Sequence, residues 1–126
     1  MADAKQHALD CLRLLEQPYA EVHRHLDSMF RQHGPFHRRY LHNAHTVRML
    51  LEKQGKDAAR AAIAHIVRDC GHVPRMRDYR TGAVDAFGCE QGDDGIVPGT
   101  FHVGLDVTVF AEYRAAVEAE WKRFGL

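Results

Sequence analysis

Long apolar runs are missing from this 126-residue chain. None approaches the roughly 18–20 residues that cross a bilayer, so no membrane partner is expected. The opening MADAKQHALD carries an acid and lacks an apolar core, which does not read as a secretory leader. Cysteine is scarce. Cys11, Cys70 and Cys89 are odd in number, widely spaced and without CxxC, which argues against a disulfide framework and a zinc finger. Free thiols point to a reducing, cytoplasmic setting. GxxxxGK[ST] and GxSxG are both absent, removing the phosphate-loop and serine-hydrolase signatures. Gly92-Asp93-Asp94-Gly95 lacks the acidic spacing of a calcium loop and reads as a tight turn.

Net charge is also missing, but only in the sum. Residues 1–80 hold 14 Lys+Arg against 9 Asp+Glu, whereas residues 81–126 hold 3 against 8. Two such parts attract each other, within a chain or between copies, and a neutral protein is not driven onto nucleic acid. With 45% hydrophobic and 27% charged residues, the composition is that of one soluble domain spanning 1–126.

Histidine is what the chain has in excess. Ten are present, and eight lie between His23 and His72. They sit in sequence that reads as helices cut by punctuation. Asp3 can cap a first helix running to about Glu16. Pro18 opens a second, with Val22, Leu26, Met29 and Phe30 in register, ending at Gly34. Pro35 opens a third, with Phe36, Tyr40, Ala44, Val47 and Leu51 in one stripe and Gly55 at its end. A fourth follows Asp57 through an alanine-rich run and stops at Gly71. The glycine-rich segment 81–105 is expected to be a loop or a small β-hairpin. A last helix, about 106–124, carries Phe110, Tyr113, Val117, Trp121 and Phe124 as an apolar stripe. The expected fold is therefore mainly α: an antiparallel bundle of four to five helices, with its core in about residues 3–80. The last stripe is expected to pack on the bundle, or else to face a second copy or another protein.

Three antiparallel helices can hold a layer of ligands. Reflection about Gly34 and Gly55 brings His23, His45 and His65 to one height, with Asp69 four residues from His65 on the same face. Rotation at about 100° per residue selects differently. It puts His37 at the edge of the third helix's apolar stripe, His45 well off it and His42 nearly opposite. The ligand set stays open between the two criteria. Histidines and a carboxylate of this kind suit a divalent transition metal such as zinc, iron or manganese. The competing reading makes these histidines boundary residues with ordinary hydrogen bonds. Asp69, near a helix C-terminus where the dipole disfavours an anion, needs compensation from an arginine or a metal. Cys70 sits on the apolar stripe as a core residue. Finally, PRMRDYR (74–80) offers Arg75, Arg77, Tyr79 and Arg80 as a phosphate or nucleic-acid surface, although a solvated surface turn is the plainer reading.

Two resemblances bear on these residues. His37-Arg38 and His42, then His65, Asp69, Gly71, Val73 and Pro74, then Asp78-Tyr79, reproduce an HR-x3-H … H-x3-D-x-G-x-[VI]-P pattern. Over roughly residues 20–80 the chain so resembles a family of small uncharacterised bacterial and phage proteins. That resemblance implies a similar helical core and makes His37, His42, His65 and Asp69 the site set; His23 and His45, which the height argument brings level with His65, are the additional candidate ligands. HNAHTV followed by AAIAHIVRD is also similar to the HD phosphohydrolase pattern. There His45 and His65 would be ligands, while Ile66 stands where the paired aspartate should be. The function expected from the sequence is that of a non-enzymatic binding or interaction module, with a metal-dependent hydrolase using a His/Asp-held divalent metal as the first alternative and a nucleic-acid accessory protein as the second.

Overall fold

The computed structural model describes residues 4–89 and 107–126. These form α1 (Ala4–Leu15), α2 (Ala20–Leu26), α3 (Phe30–His33) and a 3-10 turn over Gly34–Phe36. They continue as α4 (Arg38–Leu41), α5 (Ala44–Gln54), α6 (Lys56–Cys70), α7 (Met76–Thr81) and α8 (Val107–Arg123). The protein is mainly helical, as the sequence leads one to expect. Of the glycine-rich segment only its start is described: the Asp85 carboxylate accepts from the backbone N–H of Phe87 and Cys89 in a tight turn. The hairpin expected there falls, from residue 90 on, outside the described residues.

Helix α6 is the centre. Twelve of its fifteen residues are buried, and α1, α2, α5 and α8 all pack against it. Five alanines explain this: they favour helix, and their small side chains let neighbours approach on every side. Gly71, at φ 84°, closes the helix in the left-handed conformation that glycine adopts without strain. Tyr113 and Val117 of α8 are fully buried against this core, with Phe110, Trp121 and Phe124 packed beside them. The aromatic stripe thus faces the bundle. All three cysteines are free and buried.

Burial on all sides forces charges inward too. Arg68 of α6 donates from Nε and Nη2 to the two oxygens of Asp10 on α1, at 2.7 and 2.6 Å. Its guanidinium lies 4.0 Å from the Tyr113 ring centroid, and the Tyr113 hydroxyl donates to the Ala64 carbonyl at 2.7 Å. One ion pair therefore ties α1, α6 and α8 together.

Two expected helices are broken. The second, expected from Pro18 to Gly34, ends at Leu26 and resumes at Phe30. The third is interrupted at His42 and Asn43. Asn43 is extended (φ −154°, ψ 168°); its Oδ1 accepts from Thr46 N, and its Nδ2 donates to the carbonyls of Arg39 and Tyr40. One side chain so closes α4 and caps α5. The N–H of Ala44 finds the Pro74 carbonyl at 2.8 Å. PRMRDYR is likewise not a turn. Most of it lies in α7, which Arg75 opens: its backbone N–H donates to Asp78 Oδ2 at 2.8 Å and its guanidinium to Asp78 Oδ1 at 3.3 Å.

Breaking a buried ion pair from one side leaves an uncompensated charge, at about 3–5 kcal/mol. Arg68→Ala should lose that much in urea denaturation, and the double variant Arg68→Met, Asp10→Leu should recover most of it. Equal losses in both variants would show that the pair is not the source.

Candidate metal centre

Beside that ion pair, α6 presents His65 and Asp69, four residues apart and both fully buried. The chain brings six groups to them, directly or through one another. His7 comes from α1 and His23 from α2. Asp27 is the residue that ends α2, and His37 follows the 3-10 turn. Arg38 comes from α4, and His42 from the break between α4 and α5.

His42 Nε2 lies 3.1 Å from Asp69 Oδ2 and 3.7 Å from Asp27 Oδ1. His65 Nε2 lies 3.4 Å from the same Asp69 oxygen and 3.2 Å from the same Asp27 oxygen. One donor atom from each of these four residues falls within 4.8 Å of the other three. An ion bound tetrahedrally at about 2.0–2.2 Å spaces its ligand atoms by about 3.3–3.6 Å. Four donors on three different parts of the chain, two of them on α6, thus already stand at close to ligand spacing. The rings of His42 and His65 are inclined by 66°, so their in-plane lone pairs can converge.

A second group, His7, His23 and His65, is equally close but cannot converge. His7 stacks on His65 with centroids 3.5 Å apart and planes 11° from parallel, and His23 lies within 24° of both. Ring-nitrogen lone pairs lie in the ring plane, so stacked rings cannot aim at one ion. These contacts have another use.

The acceptors fix where the protons sit. The Pro18 carbonyl, 2.8 Å from His23 Nε2, requires that nitrogen to donate. His23 Nδ1 is then an acceptor, and His65 Nδ1, 3.0 Å away, must donate to it. The other nitrogen of His65, Nε2, is left facing two carboxylate oxygens. A lone pair there is repelled, so Nε2 must carry a proton or meet a cation. His37 repeats the pattern: Nδ1 donates to the Gly34 carbonyl at 2.9 Å, and Nε2 faces Asp27 Oδ1 at 3.2 Å.

Electrostatics follow this geometry. Burial alone lowers the His65 imidazole, but hydrogen bonds to Asp27 and Asp69 outweigh it and push it up to about 9. Burial would raise both carboxyls, yet Asp27, bonded by His37 and His65, and Asp69, bonded by His42 and approached by His65 at 3.4 Å and His7 at 3.5 Å, are held below the usual carboxylate range. His42 is lowered to about 4 by burial, against the pull of Asp69. His23 is lowered to about 3 by burial and by its neighbours His65 and His7. Buried side-chain atoms without a hydrogen-bond partner concentrate here: both nitrogens of His7, His42 Nδ1, Arg38 Nε and Asp69 Oδ1. Such atoms are rare in folded proteins and mark a strained or ligand-binding place. The residues present fit an ion.

Among the residues singled out from sequence, His42, His65 and Asp69 stand in the donor group. His37 reaches it through Asp27. His23 is not a fifth donor; it orients His65, as a second layer of groups commonly does around a metal. His45 lies exposed on α5, outside the donor group, so reflection about Gly55 does not give its direction. The rotation argument against His42 assumed one unbroken helix, and the break at Asn43 removes that assumption. Compensation for Asp69 comes from the imidazoles and from Arg38, whose Nη1 donates to the Asp69 carbonyl at 3.0 Å and whose Nη2 lies 3.8 Å from Oδ1. Asp27 and His7 went unnoticed. A signal existed for Asp27, because His23-x3-Asp27 repeats the spacing of His65-x3-Asp69.

The arginine-rich run is divided between two clefts. Arg80 and Tyr79 line a cleft with Arg39, Tyr40 and Met76, whereas Arg75 borders a different one with Glu120 and Arg123. Arg77 is exposed. The Tyr79 hydroxyl is turned inward, donating to the His42 carbonyl at 2.7 Å. Comparison with protein-family models, curated proteins and solved structures finds no match, so the reading rests on the geometry.

These shifts give chelator-treated protein a stability maximum near pH 6.5. Neutral burial of His42 and His23 stabilises above their unfolded value of about 6.5 and is lost as pH falls towards 4 and 3. Charged His65 stabilises below 6.5 and is lost as pH rises towards 9. Each group contributes about 1.4 kcal/mol per pH unit, so the acid limb is the steeper. Urea midpoints measured from pH 4 to pH 9 test this; stability climbing steadily from pH 7 to pH 9 would refute it.

Proposed function

We infer that the protein binds one divalent transition ion through His42 Nε2, His65 Nε2, Asp27 and Asp69. The observation that carries this is the convergence of four donors at 3.1–3.7 Å. Two imidazoles and two carboxylates are a borderline-to-hard set that suits zinc, iron(II) or manganese(II). A cation also resolves the tautomer conflict, since it takes the place of the proton that His65 Nε2 otherwise needs. A surface-presenting module has no evident use for so many buried ionisable groups, each costly to desolvate.

Three of the four donors have fully buried side chains, but 35% of the Asp27 side chain is exposed. Iron(II) and manganese(II), and zinc when it expands beyond four ligands, accept more than four donors, so an ion held here could take a further ligand on the side where Asp27 is exposed. Bound there, an ion supplies a Lewis acid and lowers the pKa of a coordinated water, which makes hydrolysis the reaction class that fits. The chain's own part is to hold His65 in one tautomer through His23, to keep the carboxylates ionised and to exclude water from all but one edge.

Tag-free protein purified without chelator should contain about one ion per chain by elemental analysis. The His65→Ala, Asp69→Ala double variant should contain none, and His45→Ala should keep it. Wild-type protein that is empty and takes up no added zinc, iron or manganese would sink the reading. His23→Ala should weaken the ion by about 10–100-fold without abolishing it, as loss of an orienting partner does; isothermal titration with zinc measures this.

A further inference from the structure

The exposed edge of the centre is also the end of a cleft. Ala4 and Ala8 of α1 and Ala20, His23, Arg24 and Asp27 of α2 and its C-terminal end enclose about 420 Å³. No other donor of the centre has an exposed side chain, so a molecule reaching the ion must arrive alongside Asp27. The cleft therefore leads to the one side from which the centre can be approached.

Its lining is chemically asymmetric. Three alanine methyl groups form an apolar wall with no hydrogen bond to offer. Arg24 is exposed and, among the described residues, has no hydrogen-bond or ion-pair partner. The positive charge of Arg24 and of a bound ion would favour an anion, while the alanine wall would favour a short apolar body. The volume lies near the lower end of the range for small-molecule pockets, about 300–1,000 Å³. It is too small for a polymer and ample for a few carbon atoms.

We propose that this cleft receives a short-chain organic carboxylate, which presents its oxygens to the ion beside Asp27 and to Arg24 and lays its hydrocarbon against Ala4, Ala8 and Ala20. The assignment rests on the metal reading above. It adds what that reading leaves open, namely the class of molecule that meets the ion. A carboxylate suits both ends: it ligates hard and borderline cations, and its two oxygens match the guanidinium fork. The alanines then act as the length gauge, because each extra methylene buried against them strengthens binding until the cleft is full.

The test uses the cobalt(II)-loaded full-length protein. Metal content is measured first, and the visible absorption of the bound cobalt is then followed during titration with acetate, butyrate and inorganic phosphate. Saturable spectral change is expected with butyrate at lower concentration than with acetate, and least with phosphate. Arg24→Glu should weaken butyrate by about tenfold or more, the worth of a charge-assisted hydrogen bond. Ala8→Leu should abolish the response by filling the cleft. Both variants should hold as much cobalt as the wild type, and Arg24→Glu, an exposed change, keeps the test available if Ala8→Leu does not fold. Cobalt bound at one per chain with no response to carboxylates, or with phosphate preferred, overturns the cleft assignment and leaves the metal reading standing. Failure to bind cobalt at all removes both.

Discussion

Burial of charge on α6 is the constraint that the rest of the structure answers. A helix surrounded on all sides has no face on which to put His65, Arg68 and Asp69, so each must be compensated inside the protein. Arg68 recruits Asp10 and so places α1 and α8. His65 and Asp69 recruit Asp27, His37, His42 and Arg38, and so place everything between α2 and α5. The alanines that allow neighbours close enough to bury these groups also let those neighbours supply the compensation.

Much of the helical order was legible in the sequence because it depends on local chemistry. Gly55 and Gly71 separate and end helices in the way their freedom at positive φ predicts, and the apolar stripe of α8 does face the bundle. The candidate site was legible in part. His65 and Asp69 announce themselves by their spacing on one unbroken helix. His42 does not, because its direction depends on Asn43, and periodicity cannot reveal that one asparagine will cap two helices at once. Asp27 is harder to single out for another reason: at the end of α2 it shares the face of His23, four residues before it, but a lone carboxylate beside a helix end reads as an ordinary polar residue. Side chains at helix breaks are where periodic reasoning fails. Here the breaks supply half of the donors.

His23 shows the difference between nearness and role. Height alone made it a candidate ligand, and it does sit 3.0 Å from His65. Its hydrogen bond to the Pro18 carbonyl nevertheless settles its tautomer, which settles that of His65, which sets the demand at Nε2. The chemistry of the centre is thus partly decided by a backbone carbonyl at the start of α2. A residue that contributes no donor can still determine whether a proton or a metal ion occupies the middle.

The lengths of the elements around the centre have a further consequence. Helix α2 has seven residues and α4 only four, far below the dozen or so that an isolated helix needs to be even marginally stable in water. Asp27, His37 and His42 therefore stand on backbone that holds its shape only while docked against α6. Two donors, Asp27 and His42, thus depend on that docking, whereas His65 and Asp69 stand on α6, which at fifteen residues is long enough to hold its own shape better. Local opening would begin at α2–α4 and disperse the donors while the Arg68–Asp10 pair still held. Assembling the centre and ordering that side of the fold are one event.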